Sequence, residues 1–116
     1  NFAPITYAAG DDLVAFISND HNFKIFYNDS VYNMGYLEPD YLVKDNIVAF
    51  ENGSGKFDVF YKGHVYEIDN FYPGNANIKA GYNSLGYIDQ SNVLRLFTAG
   101  KTYDVTSANI SNWRLD

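Results

Sequence analysis

Residues 46–68 read NIVAFENGSGKFDVFYKGHVYEI, two short apolar stretches either side of a polar, glycine-containing turn. A strand with one wet face keeps polar residues at every second position. In the second stretch Phe57, Val59 and Tyr61 point one way and Phe60 points the other. Such a strand is expected to be covered on both sides.

The same pattern occurs three times. LVAFISNDHNFKIFYNDSVY (Leu13 to Tyr32), IVAFENGSGKFDVFYKGHVY (Ile47 to Tyr66) and SLGYIDQSNVLRLFTAGKTY (Ser84 to Tyr103) align without gaps, at offsets of 34 and 37 residues. The extra residues of the second interval fall in DNFYPGNAN (Asp69 to Asn77), which reads as a loop. A short segment precedes each copy, YAAGDD from Tyr7, YLVKDN from Tyr41 and IKAGYN from Ile78, and a fourth such segment, WRLD, starts at Trp113. A fixed period of this size is the mark of a repeat architecture. The expected units are 7–40, 41–77 and 78–112, with an additional segment at 113–116, together forming one repeat-built domain or part of one.

Each unit parses into four strands, named D, A, B and C in chain order. The leading segment is D, LVAF and its sisters are A, FKIFY and its sisters are B, and the VY or TY pair lies in C. Polar turns separate them, as hairpin connections require. The prolines, Pro4, Pro39 and Pro73, all lie outside strands A to C, as a donor-lacking residue should. The third residue of strand A is small in each copy, Ala15, Ala49 and Gly86, which places crowding at that position and, by expectation, near a central axis. In an antiparallel repeat protein without helices, the cover over a two-faced sheet is another sheet. The fold class is therefore all-β, and four-stranded units stacked face to face around an axis make a β-propeller.

Strands A and B, DDLVAFISNDHNFKIFY and DNIVAFENGSGKFDVFY, resemble the WD40-like repeats of the TolB type, whose blade has an Asp- or Gly-containing turn, an IAF strand, a polar hairpin and a DIY strand. That resemblance implies a propeller with its binding loops at one end. Propellers usually close with four to eight blades, so three units read as consecutive blades of a longer array, or as a chain that completes a ring by self-association. Two exposed blade faces rich in Phe and Tyr would favour association, since burying each such side chain contributes roughly 1.5–3 kcal/mol. The β-trefoil and the β-prism also have three four-stranded units at this length, and both remain open as alternatives.

Composition limits the function. The chain has 116 residues, 47% of them hydrophobic and 18% aromatic, with 11 Tyr and 9 Phe; this supports a real core and favours strands. A net charge of −6 repels phosphate backbones and anionic lipid, so nucleic acid and membrane surface are not expected partners. There is no cysteine, which removes disulfides and thiolate metal sites. The apolar runs are too short for a transmembrane helix. The first residue is Asn1, and the expected setting is a processed form or an excerpt that is secreted, periplasmic or at the cell surface.

Candidate residues favour binding over chemistry. His21 and His64 lie in turns of different units and have no matched His, Cys or Ser partner. The acids Asp11, Asp12, Glu38 and Asp40 lack the Asp-x-Asp-x-Asp spacing of a calcium loop. NGSGK at residues 52–56 lacks the following helix of a phosphate loop and reads as a hairpin. The sequons at Asn28, Asn52 and Asn109 are what Asn-rich turns produce by chance. In repeat β proteins ligands meet the loops at one end, which points to the D–A turns: Asp11, Asp12, Lys44, Asp45, Asn46, Tyr82 and Asn83. The expectation is a non-enzymatic scaffold or protein-interaction module, with no cofactor and no metal, that binds a protein partner or itself. A small carbohydrate-binding lectin with one site per repeat is the alternative.

Overall fold

The computed structural model describes residues 6–105. The segment from Trp113, the sequon at Asn109 and the end of the third unit lie outside the described residues. Among the described residues twelve strands run β1 Thr6–Ala9, β2 Leu13–Ile17, β3 Asn22–Tyr27, β4 Ser30–Tyr36, β5 Tyr41–Lys44, β6 Ile47–Glu51, β7 Phe57–Tyr61, β8 His64–Asp69, β9 Ile78–Gly81, β10 Ser84–Ile88, β11 Leu94–Thr98 and β12 Lys101–Val105, with one 3-10 turn at Asn75–Asn77. They form three antiparallel four-stranded meanders, β1 to β4, β5 to β8 and β9 to β12. Each meander is one blade, with strands D, A, B and C in that order.

Local chemistry repeats as closely as the sequence does. Ser18, Asn52 and Asp89 open the three A–B turns. In each, the N–H of the opening residue donates to the carbonyl four residues on at 2.9 Å, and the N–H three residues on donates back. The residues donating back, His21, Gly55 and Asn92, have φ of 65°, 78° and 64°. The opening side chain completes the turn: Asn52 Oδ1 accepts from the Ser54 and Lys56 N–H groups, and Asp89 Oδ1 from those of Ser91 and Val93. Short polar side chains that bind their own backbone stabilise such turns. NGSGK is thus a capped hairpin. The B–C turns Asn28-Asp29, Lys62-Gly63 and Ala99-Gly100 hold positive φ at both residues, the two-residue geometry whose twist matches the flanking strands. A β-bulge also recurs, after Phe23 in the first blade and after Phe57 in the second.

Two apolar clusters hold the blades together. Leu13, Ala15, Ile17, Phe23 and Ile25 of the first blade pack on Val48, Phe50 and Phe60 of the second. Ile47, Ala49, Phe57, Val59 and Tyr61 of the second pack on Ile78, Leu85, Tyr87 and Phe97 of the third. The middle sheet is buried on both faces, which is why its strands lack alternation. A trefoil or prism would give every sheet one inner and one outer face around a single core; separate layers either side of the middle sheet are propeller packing.

One expectation is corrected. The small residues of strand A do not lie at the axis. Backbone approach between sheets is concentrated where β1 meets β5, so strand D is innermost and strand A is second. Ala15, Ala49 and Gly86 are buried inside the packing layers, where thin side chains let neighbouring blades come close.

Asp58 is a cost in the middle blade. It is almost fully buried, one carboxylate oxygen takes a hydrogen bond from Asn52 Nδ2 at 3.1 Å, and the other, Oδ1, has no partner. Glu67 pairs with it across the ladder, and like charges so placed repel. At the matched position of the third blade Arg95 instead meets Asp104 at 3.2 Å and Asp89 at 2.6 Å. Burial pushes the Asp58 carboxyl above the ordinary value of 3.8, helped by Glu67 and opposed by Asn52 and Lys56. A raised folded-state pKa means that this group favours folding below the unfolded value and loses that contribution as pH rises through the folded one. Asp58→Asn is therefore expected to raise stability at pH 7 by on the order of 1 kcal/mol, with the gain vanishing near pH 3. Urea melts of both chains at the two pH values check this; equal stability at pH 7 would remove the assigned cost.

Candidate functional site

Antiparallel meanders bring the D–A and B–C turns of every blade to one end. Because strand D is innermost, the D–A turns form the inner rim there. All seven candidate residues lie on this rim, but they do different work. Asp11, Asp12, Lys44 and Tyr82 are exposed, Asp45 is half-buried, and Asn46 is 6% exposed.

The rim is built from cross-blade hydrogen bonds. The Asp11 N–H donates to the Asp45 carbonyl at 2.6 Å. A Cβ on Gly10 would lie 2.2 Å from that carbonyl oxygen, so only glycine permits the approach. The Tyr82 hydroxyl donates to Asp11 Oδ2 at 2.6 Å, joining the third blade to the first. That bond, with the carboxylate charge beside it, pushes the Tyr82 phenol upward. At the other end of the inner strands, away from the rim, Thr6 Oγ1 and the Tyr41 hydroxyl share a hydrogen bond of 2.8 Å between the first and second blades.

Asn46 and Asn83 are bound to each other. Asn46 Nδ2 donates to Asn83 Oδ1 at 2.7 Å, Asn46 Oδ1 accepts the Asn83 N–H at 2.9 Å, and the Tyr61 hydroxyl donates to Asn83 Oδ1 at 3.0 Å. Asn83 also holds φ 61°, a conformation that Asn tolerates. These two amides tie the second blade to the third and offer little to a ligand. What remains open at the rim is Asp11, Asp12, Asp45, Lys44 and Tyr82, a surface of three carboxylates against one cation.

The histidines are surface residues. His21 Nδ1 hydrogen-bonds to Glu38, and the His64 ring lies edge-on to Tyr66. Among the described residues no group of three or more His, Cys, Asp or Glu is placed to hold a metal ion, and no helix is long and apolar enough to cross a membrane.

Sequence reasoning missed a groove at the opposite end. The loop after β8 carries the extra residues of the second unit. With the β10–β11 turn it walls an open pocket of about 340 Å³ lined by Phe71, Asn77, Lys79 and Gln90 among others, continuing past Asn70, Asp89 and Arg95. Phe71 packs against the Tyr87 ring at 6.3 Å. Burial opposes ionisation of Asp89, but the hydrogen bond from Arg95 and the turn N–H groups outweigh it and hold the carboxyl low. The offset of 37 against 34 marked this loop, yet a length difference carries no information on what the loop encloses.

Comparison with known proteins places the fold. The family model described as 10-bladed beta propeller domain matches residues 1–116. No curated protein matches the chain. Among solved structures, the crystal structure of the N-terminal domain of Nup159 is similar, with a TM-score of 0.50 at 8% identity, over 89% of this chain and 30% of that one. At that identity the likeness is one of fold alone, and the chain spans about a third of that structure's length. With three stacked meanders and a family match along its whole length, the chain belongs to the ten-bladed β-propeller domain family.

Proposed function

We propose that this segment is a non-enzymatic protein-interaction module of a larger scaffold, with the inner rim as its recognition surface. The observation that carries this is the convergence of exposed Asp11, Asp12 and Tyr82 with Asp45 on one rim, held by cross-blade hydrogen bonds. A rim that is fixed before a partner arrives loses little entropy on binding, and tyrosine supplies contact area at low conformational cost. Its net negative charge selects a basic polypeptide segment. The WD40-like, TolB-type likeness of strands A and B and an exported or cell-surface setting belong to the same proposal. Panning a peptide display library on the folded chain is expected to return Lys- or Arg-rich binders whose affinity falls about tenfold on Asp12→Lys, a change of roughly 1.4 kcal/mol, at unchanged Tm. Binders indifferent to Asp12→Lys and Asp11→Asn would place recognition elsewhere.

The groove favours carbohydrate as a second reading, because an aromatic face flanked by amide, carboxylate and guanidinium groups suits a polyhydroxylated ring. The site would then be a single groove between the second and third blades in place of one per repeat. A glycan array read with the wild type and with Phe71→Ala decides it; silence from folded wild-type chain ends the lectin reading.

A further inference from the structure

The dipeptide Asn-Gly occurs once in the chain, at Asn52-Gly53, in the A–B turn of the middle blade. It is chemically labile in water. A backbone nitrogen can attack the amide carbon of the preceding asparagine side chain, and glycine, with no Cβ, hinders that attack least. Gly53, Ser54 and Gly55 are exposed, so water reaches the turn, while Asn52 is half-buried.

The fold holds the amide away from this reaction. Asn52 Oδ1 accepts the N–H groups of Ser54 at 2.8 Å and Lys56 at 3.1 Å, and Nδ2 donates to Asp58 Oδ2 at 3.1 Å. All three bonds must break before Cγ can swing to the Gly53 nitrogen. At the net worth of hydrogen bonds in a folded protein, their loss slows the step by about a hundredfold, roughly 2.7 kcal/mol of barrier.

The matched turn of the third blade shows what the product would need. That turn opens on Asp89, whose Oδ1 caps the N–H groups of Ser91 and Val93 and whose Oδ2 accepts from Arg95 Nε at 2.6 Å. An aspartate therefore serves this turn where a cation stands at the facing strand position. In the middle blade that position holds Asp58, buried and with Oδ1 unpartnered. An aspartate at 52 would remove the donor to Asp58 and set a second carboxylate beside it, which a buried charge tolerates poorly.

We infer that Asn52 is a site of spontaneous conversion to aspartate and isoaspartate, gated by opening of the A–B hairpin. The Gly53 nitrogen loses its proton and bonds to Asn52 Cγ, the Cγ–Nδ2 bond breaks, and the amide nitrogen leaves as ammonia with that proton. Water then opens the cyclic imide at either carbonyl, giving aspartate or, with the backbone rerouted through the side chain, isoaspartate. Neither product restores the hairpin. Aspartate repels Asp58, and isoaspartate adds a backbone carbon inside the turn that sets the Glu51–Phe57 pairing. Opening of this one hairpin is thereby recorded in covalent form. The site lies at the opposite end of the blade from the rim and is independent of recognition there.

Mass spectrometry of the 116-residue chain, incubated at neutral pH folded in buffer and unfolded in guanidinium chloride, tests this. Conversion of amide to acid, mapped to the peptide that contains Asn52, is expected to run about a hundredfold faster in the unfolded chain. Gly53→Ala has open space for its methyl group and no positive φ to adopt; it is expected to fold and to lose most of the reaction in denaturant. Equal rates in folded and unfolded chain, or a Gly53→Ala chain that converts as fast as wild type, would overturn the proposal. Asn52→Asp reports on the product. Its Tm is expected to fall by on the order of 5 °C, and adding Asp58→Arg, which copies the Asp89–Arg95 pair, is expected to recover most of that fall. An Asn52→Asp chain that melts with the wild type would show that the hairpin accepts the product, and would also overturn it.

Discussion

Phe60→Ala is expected to lower the free energy of unfolding by about 3–5 kcal/mol, the cost of emptying a phenylalanine site that cannot collapse. Phe60 is fully buried, and the rings of Tyr27 and Tyr32 stand against it edge-on at 5.8 and 5.0 Å. All the apolar surface it covers belongs to the junction of the first and second blades. In a stacked array stability is roughly a sum of unit and neighbour-interface contributions, so the loss should fall on the first blade. Urea melts followed by circular dichroism measure the total, and hydrogen exchange should show β1 to β4 opening before β9 to β12. The matched change Phe26→Ala is expected to cost under about 1 kcal/mol in the monomer, as surface substitutions do. Equal costs at the two positions would contradict the stacking described above.

Asn46→Ala is expected to cost about 1–3 kcal/mol, because it leaves the Asn83 N–H unpaired between two blades. The aligned substitution Asp12→Ala should be close to neutral. The two residues occupy the same place in their units, but Asn46 is sealed between its own blade and the third, whereas Asp12 is open to water. Asn46→Asp should be no better than alanine: it keeps the acceptor for the Asn83 N–H but sets a carboxylate oxygen against Asn83 Oδ1, now 2.7 Å from the donor it replaces. Thermal melts of the three variants suffice. An Asn46→Ala chain as stable as wild type would return that residue to the set available for a partner.

Most of the fold was legible from residues 46–68 once their sister copies were aligned. Hairpins are local, and the residues that set them, Asn52 with Gly55 or Asp89 with Asn92, lie three apart, so a single unit carries its own turn and register. The two-faced apolar strand was equally readable, and Phe57, Val59, Tyr61 and Phe60 point as their alternation requires. The site was legible by position only. The rim residues share one end because meanders put every D–A turn there, a consequence of strand count that holds whatever the side chains are.

What the sequence by itself determined is the blade: four strands, their turns, and apolar cover wanted on both faces. Only the tertiary structure decided which strand is innermost and which rim amides are consumed in cross-blade bonds. The reason is physical. Asp12, Asn46 and Asn83 have nearly the same local sequence, and so do Phe26, Phe60 and Phe97. Their burial depends on a neighbouring blade whose contacting residues lie 22 to 37 positions away, and a repeat pattern records what each unit presents without recording which side chains of the next unit receive it.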